Sequence, residues 1–224
     1  MFAGHFGAAL ALKPVDRRVN LGLLFFGAMF LDIVLWILVL SGAEQLVVPA
    51  DFEVLHYMRF VFPWSHSLLA SIAWSLLLAA IFRFAWRGRG RAGFVALAAG
   101  MAVFSHYVLD VLVHPALPFA PASGGGFGFG LWDHLGAALS IESLIALGGL
   151  VVFLRSARLS KPRAAGLVLL VLAIVAMTVG GMLYAPPPPS PAAAAVSSLI
   201  TIASVCALAA WIDRRPVQAP PAGP

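Results

Sequence analysis

His106, Asp110 and His114 stand four residues apart in the run FSHYVLDVLVHP. That spacing puts two imidazoles and a carboxylate on one side of a helix. Imidazole and carboxylate ligands without thiolate suit zinc, manganese or iron. One such metal lowers the pKa of bound water, and two of them hold the entering and leaving oxygens of a displacement. The three residues close an apolar run that begins at Ala92. Hydrocarbon tolerates such groups only where they face protein, a wet cavity or one another.

The elements that must position them are membrane-spanning. Hydrophobic residues make up 62% of the chain and charged residues 10%, and the mean hydropathy is +0.98. A span needs about 20 apolar residues. Six are predicted, over 21–40, 67–86, 92–113, 135–154, 164–184 and 192–212. The expected fold is therefore all-α and polytopic, with a short N-terminal half-helix and no soluble domain of ordinary size. The basic cluster Lys13, Arg17 and Arg18 follows the apolar stretch 6–12, unlike a cleaved signal peptide. The lone Cys206 excludes an intramolecular disulfide and a cysteine-based zinc site.

The basic residues alternate between loops. Every Lys and Arg except Arg59 precedes span one, follows span six, or lies between or at the adjoining ends of spans two and three and of spans four and five. The positive-inside rule puts both termini in the cytoplasm. The net charge of +5 then reflects topology and gives no reason to expect a nucleic-acid partner. Residues 1–155 read as the functional core and 164–212 as a packing hairpin. The tail 213–224, ending PVQAPPAGP, reads as disordered. In the hairpin, Gly180, Gly181, Ser197 and Ser198 suit close helix approach. Loop 41–63 accommodates a short surface helix. The glycines of loop 115–131 give it the freedom of a mobile lid or an ordinary interfacial loop.

This orientation collects the polar residues. At about 1.5 Å per residue, His106 lies roughly 21 Å and Asp110 roughly 27 Å from the cytoplasmic start of their span. Asp133 and His134 lie at the outer mouth of the next span, with Glu142 roughly 12 Å deeper. His66 sits at the outer end of span two, and Asp32 roughly 16 Å along span one. These groups point to one pocket in the outer half of the membrane. His5 joins them if the segment 2–12 is a half-helix embedded from the cytoplasmic side with Lys13 at the surface. It does not if that segment lies on the surface. Arg59 suits a phosphate or carboxylate through its planar fork, or is a snorkelling interfacial arginine.

In the order of these motifs the chain resembles the bacterial inner-membrane metal-dependent hydrolases, also described as LexA-binding, inner-membrane-associated hydrolases. Members carry an early Gly-His, an Asp pair ending the next helix, then Thr-His-Ser, and later Ser-His-x3-Asp. The matching positions are Gly4-His5, Asp32, Ser65-His66-Ser67, and Ser105-His106 with Asp110, within residues 1–155. The Asp pair is reduced to Asp32, with Val34 where a second acid would stand, and Ser65 replaces the Thr. The resemblance implies a hydrolase of the bacterial inner membrane; no motif here supports LexA binding. A more distant similarity is to zinc-dependent phospholipases C and P1-type nucleases, whose H-x3-D, His, H-x3-E order matches His106, Asp110, His114 and His134. Ala138 stands where the last carboxylate belongs, and Glu142 comes a turn later.

The expected chemistry is metal-dependent hydrolysis of an ester or phosphoester, on a small-molecule, lipid or lipid-linked substrate. His66, His106, Asp110, His114 and His134 are the expected ligands of one or two divalent ions, zinc first. Asp32 is a ligand or orienting group and Glu142 a general base or an additional ligand; His5 and Asp133 are possible additions, and Arg59 a substrate contact. Three other readings stand beside this one. His106 and His134 could hold a haem in a redox protein. Asp32, Glu142 and His106 could form the relay of a proton-coupled transporter. A non-enzymatic membrane protein is the third.

Overall fold

A computed structural model describes residues 1–14, 19–88, 90–157 and 159–214. The tail expected to be disordered lies outside the described residues from position 215, as do Arg17, Arg18, Arg89, Arg158 and Arg215 of the basic segments. The chain begins with a buried helix, α1 (Ala3–Leu12). The first expected span is two helices, α2 (Leu21–Ala28) and α3 (Phe30–Ser41), bent by 51° where they meet. After a short loop come α4 (Phe52–Leu55) and α5 (Pro63–His66). Among the described residues, five helices are long and apolar enough to cross a membrane, or six if the bent pair is one span. They are α6 (Leu68–Ala85), α7 (Ala92–Val113), α8 (Leu135–Ser156), α9 (Lys161–Tyr184) and α10 (Pro191–Ile212). A single 3-10 turn, Leu131–His134, leads into α8.

Helix α1 resolves the placement of His5. A ten-residue helix is marginal in isolation, and this one is held by packing against α8, α2 and α7. The contact with α8 runs through glycine on both sides. A Cβ on Gly149 would stand 2.0 Å from the Gly7 carbonyl oxygen, and one on Gly7 would stand 2.4 Å from that of Ile145. The two backbones approach so closely that His5, Phe6, Ala9 and Leu10 are all buried. Lys13 is also buried, where a surface position was expected. Its ammonium donates to the Val19 carbonyl at 2.5 Å and pairs with Asp213, whose carboxylate also accepts from Leu21 N–H at 2.7 Å. Asp213, taken from sequence as the first residue of the tail, is thus fixed in the fold.

The break between α2 and α3 has a visible cause. His106 Nδ1 lies 2.6 Å from the carbonyl oxygen of Ala28. A side chain inserted into the backbone ladder is a usual origin of a helix bend. The bend leaves Asp32 in the first turn of α3, where the helix dipole favours an anion.

Both long loops carry hairpins the sequence did not indicate. Strand β1 (Gln45–Val47) pairs antiparallel with β2 (Arg59–Val61), and α4 is the short helix expected between them. Strand β3 (Leu117–Pro118) pairs with β4 (Gly126–Phe127). The second loop is also tied to the end of α7. Phe129 N–H donates to Val111 at 2.8 Å and Gly130 N–H to His114 at 2.9 Å. The C-terminal hairpin packs through α10 on α2 and α3, and through α9 on α8. Its expected small-residue contact is absent: a Cβ on Gly180 or Gly181 meets nothing within 4 Å. The close approach is made by Gly22 of α2 instead, where a Cβ would stand 2.5 Å from that of Ala210.

Candidate metal centre

Three helices and a helix terminus bring five of the expected groups together. His106 and Asp110 come from α7, His66 from the end of α5, Asp32 from α3 and His5 from α1. One ligand atom each from His5, His106 and Asp110 lie within 4.8 Å of one another, and the same holds for Asp32, His66 and His106. These groups are close enough to hold a metal ion.

Asp110 is central. Its Oδ2 lies 3.3 Å from His106 Nε2, 3.5 Å from His66 Nε2 and 3.7 Å from His114 Nε2. Its Oδ1 lies 3.2 Å from His5 Nε2 and accepts from the Met1 amino group at 2.8 Å. Asp32 Oδ1 approaches His66 and His106 Nε2 at 3.5 and 3.6 Å.

The outer hydrogen bonds fix which way the ring lone pairs point. A carbonyl oxygen only accepts, so His106 Nδ1 carries the proton that faces Ala28. Ser65 Oγ donates to Glu44 Oε2 at 2.7 Å, so at 2.7 Å it accepts from His66 Nδ1. Glu44 is itself held by the N–H groups of Trp64 and Ser65, each at 2.8 Å. Both imidazoles, in their neutral forms, therefore aim an Nε2 lone pair inward, and the two Nε2 atoms face each other at 3.1 Å. Lone pairs and carboxylate oxygens converging on one point repel unless a cation, or a proton on one of the rings, lies among them. His5 repeats the theme. It is wholly buried, its ring stacks on His106 at 3.6 Å, and neither ring nitrogen makes a hydrogen bond among the described residues. Its nearness to Asp110 lacks hydrogen-bond geometry, so the contact does not satisfy it.

His114 caps the C-terminus of α7 and packs between the rings of Phe62 and Trp132. Glu142 is buried on α8 and accepts from Gly4 N–H at 3.3 Å, satisfying an orphan donor at the start of α1. Asp32, His66, Asp110, His114 and Glu142 all line one cavity of about 380 Å³.

Three expected residues are elsewhere. His134 and Asp133 are exposed on the 3-10 turn. Trp132 takes the inward position there, its ring centroid 4.4 Å from that of His114. His106 and His134 consequently do not face each other as a haem pair. Asp133 instead accepts from the Tyr57 hydroxyl at 2.9 Å. Partial burial and that bond to an anion both raise the Tyr57 pKa above its ordinary value of 10. Arg59 is exposed on β2, outside the cavity lining. Sequence reasoning missed Glu44 and the Ala28 carbonyl. Glu44 is 2% exposed in the loop between the first two spans, but no local pattern distinguishes it from Glu53.

No family model, curated protein or solved structure matches the chain.

Proposed function

We propose that this is an integral-membrane, metal-dependent hydrolase acting on an ester, and foremost a phosphoester. The observation that carries the reading is the convergence of the His66 and His106 lone pairs with two carboxylates, each ring fixed from behind by an outer acceptor. Such outer-shell bonds commonly orient metal-ligating histidines. His66, His106, Asp110 and Asp32 would hold the ion, zinc being the first choice for this donor set. His5 and His114 are positioned to complete the coordination of one or two ions. The bound metal supplies Lewis acidity and a lowered pKa for water.

The chain's own groups supply the rest. Glu142 keeps one oxygen on Gly4 N–H and presents its carboxylate to the same cavity, where it takes a proton from the attacking water. Phe62 and Trp132 hold His114 and exclude solvent on that side. The order of Gly4-His5, Asp32, Ser65-His66-Ser67 and Ser105-His106 with Asp110 supports membership of the inner-membrane hydrolase family. In this reading the bent pair is one span, both termini are cytoplasmic, and the site opens in the outer half of a bacterial inner membrane.

The test is hydrolysis of butyl phosphate by detergent-purified protein, before and after chelation. Activity that disappears on chelation and returns with zinc supports the reading. Turnover indifferent to chelator, or no turnover of butyl phosphate or hexadecyl phosphate by metal-loaded protein, overturns it.

A further inference from the structure

The cavity that holds the polar cluster has a second end. Beyond Asp32, His66 and Asp110 it continues between the C-terminal helices, along Met177, Thr178, Gly181 and Met182 of α9 and Ser197, Thr201 and Ile202 of α10. By composition this wall is half polar. Of its four hydroxyls, counting Ser198 beside Ser197, three are already used. Thr178 donates to Ile174, Ser197 to Ala194 and Thr201 to Ser197, at 2.8–3.0 Å. Back-bonding of this kind spends the donor on the helix's own carbonyl. The surface left to a ligand is chiefly methyl, methylene and thioether. Gly181 opens it, because nothing stands within 4 Å of where its Cβ would be. The outer flank of the gap lies among exposed apolar residues of membrane-type helices, including Val196, Ile200 and Leu183.

We infer that the substrate is a membrane amphiphile. Its ester-bearing head lies at the histidine–aspartate cluster, and one hydrocarbon chain lies in the groove between α9 and α10, entered sideways from the lipid. This rests on the hydrolase reading above and adds the substrate class. A cavity of about 380 Å³ is near the lower end of the usual ligand range of about 300–1,000 Å³. That suits a head and part of one chain, with the remainder left in the bilayer. A wet site for soluble esters needs no apolar arm, and three of the groove's four hydroxyls donate to their own helix instead of offering a bond to a polar substituent.

The experiment uses the full chain in detergent or vesicles, with hexadecyl phosphate carrying a photoactivatable diazirine in its chain. Crosslinks should map to the stretch around Met177–Met182 and Ser197–Ile202, and excess unlabelled hexadecyl phosphate should suppress them. Gly181→Leu fills open space without a clash and should lower that labelling about tenfold, the equivalent of about two methylenes kept from burial. It should lower the ratio of hexadecyl to butyl phosphate turnover similarly. Gly180→Leu, next in the helix and outside the cavity, should match wild type. Labelling spread evenly over all lipid-facing helices, or unmoved by Gly181→Leu, overturns the groove. Labelling confined to the groove without turnover of either ester keeps the groove and removes the hydrolase reading. Chelator-sensitive turnover of both esters with unconfined labelling does the reverse.

Discussion

At the residue scale the decisive feature is the set of bonds behind the ligands. His66 is aimed by Ser65 and Glu44, and His106 by the Ala28 carbonyl. Ser65→Ala removes the acceptor of His66 Nδ1 without touching an inward-facing group. Losses of such outer bonds typically cost about 10–100-fold in metal affinity, and competition against a chromogenic chelator should show a drop of that order. Unchanged affinity would mean that the relay does not orient a ligand. His134→Ala should leave metal content as in wild type, because the side chain is exposed on the 3-10 turn. The sequence made His106, Asp110, His66 and Asp32 legible, because ionisable groups in apolar runs are costly and therefore stand out. It misplaced His134 because one residue of rotation at a 3-10 turn exchanges inside for outside, and Trp132 is the better filler of an apolar mouth. Glu44 was illegible for the opposite reason: a carboxylate in a loop outside the spans costs nothing until the fold buries it.

At the scale of elements, α1 is the piece whose position matters most. Hydropathy marks the segment as apolar but too short to span, and that leaves its depth open. The glycine pair settles it, since Gly7 and Gly149 permit a backbone approach that no side chain allows. Gly149→Leu should push α1 away from α8. Overpacking of this kind costs about 1–3 kcal/mol, and it should lower Tm while taking His5 out of the cluster. A variant with wild-type Tm and wild-type metal content would contradict this account of α1. The β1–β2 loop has its own test. Tyr57 donates to Asp133, and its pKa is raised, so the bond is complete below pH 10 and is lost as pH rises through the elevated value. Ultraviolet titration should show late tyrosine ionisation, and Tyr57→Phe should reduce the amplitude of that late step by one tyrosine. The hairpins themselves were hidden, because strands of two or three residues carry no periodicity to read.

At the scale of the whole molecule, helix content and the apolar spans follow from composition. The way α9 and α10 meet the core does not. Small residues signalled close packing, whereas Gly181, Ser197 and Ser198 instead line one arm of the cavity. The C-terminal hairpin thereby gives one cavity both a charged end and an apolar end. All of this depends on a cation being what the converging lone pairs await, and metal analysis of detergent-purified wild type beside His106→Ala addresses that most directly. The account predicts one or two equivalents of a divalent transition metal in wild type and loss of most of it in the variant, with the helical circular dichroism retained. Metal-free wild type purified without chelator, or equal content in the two proteins, would contradict it.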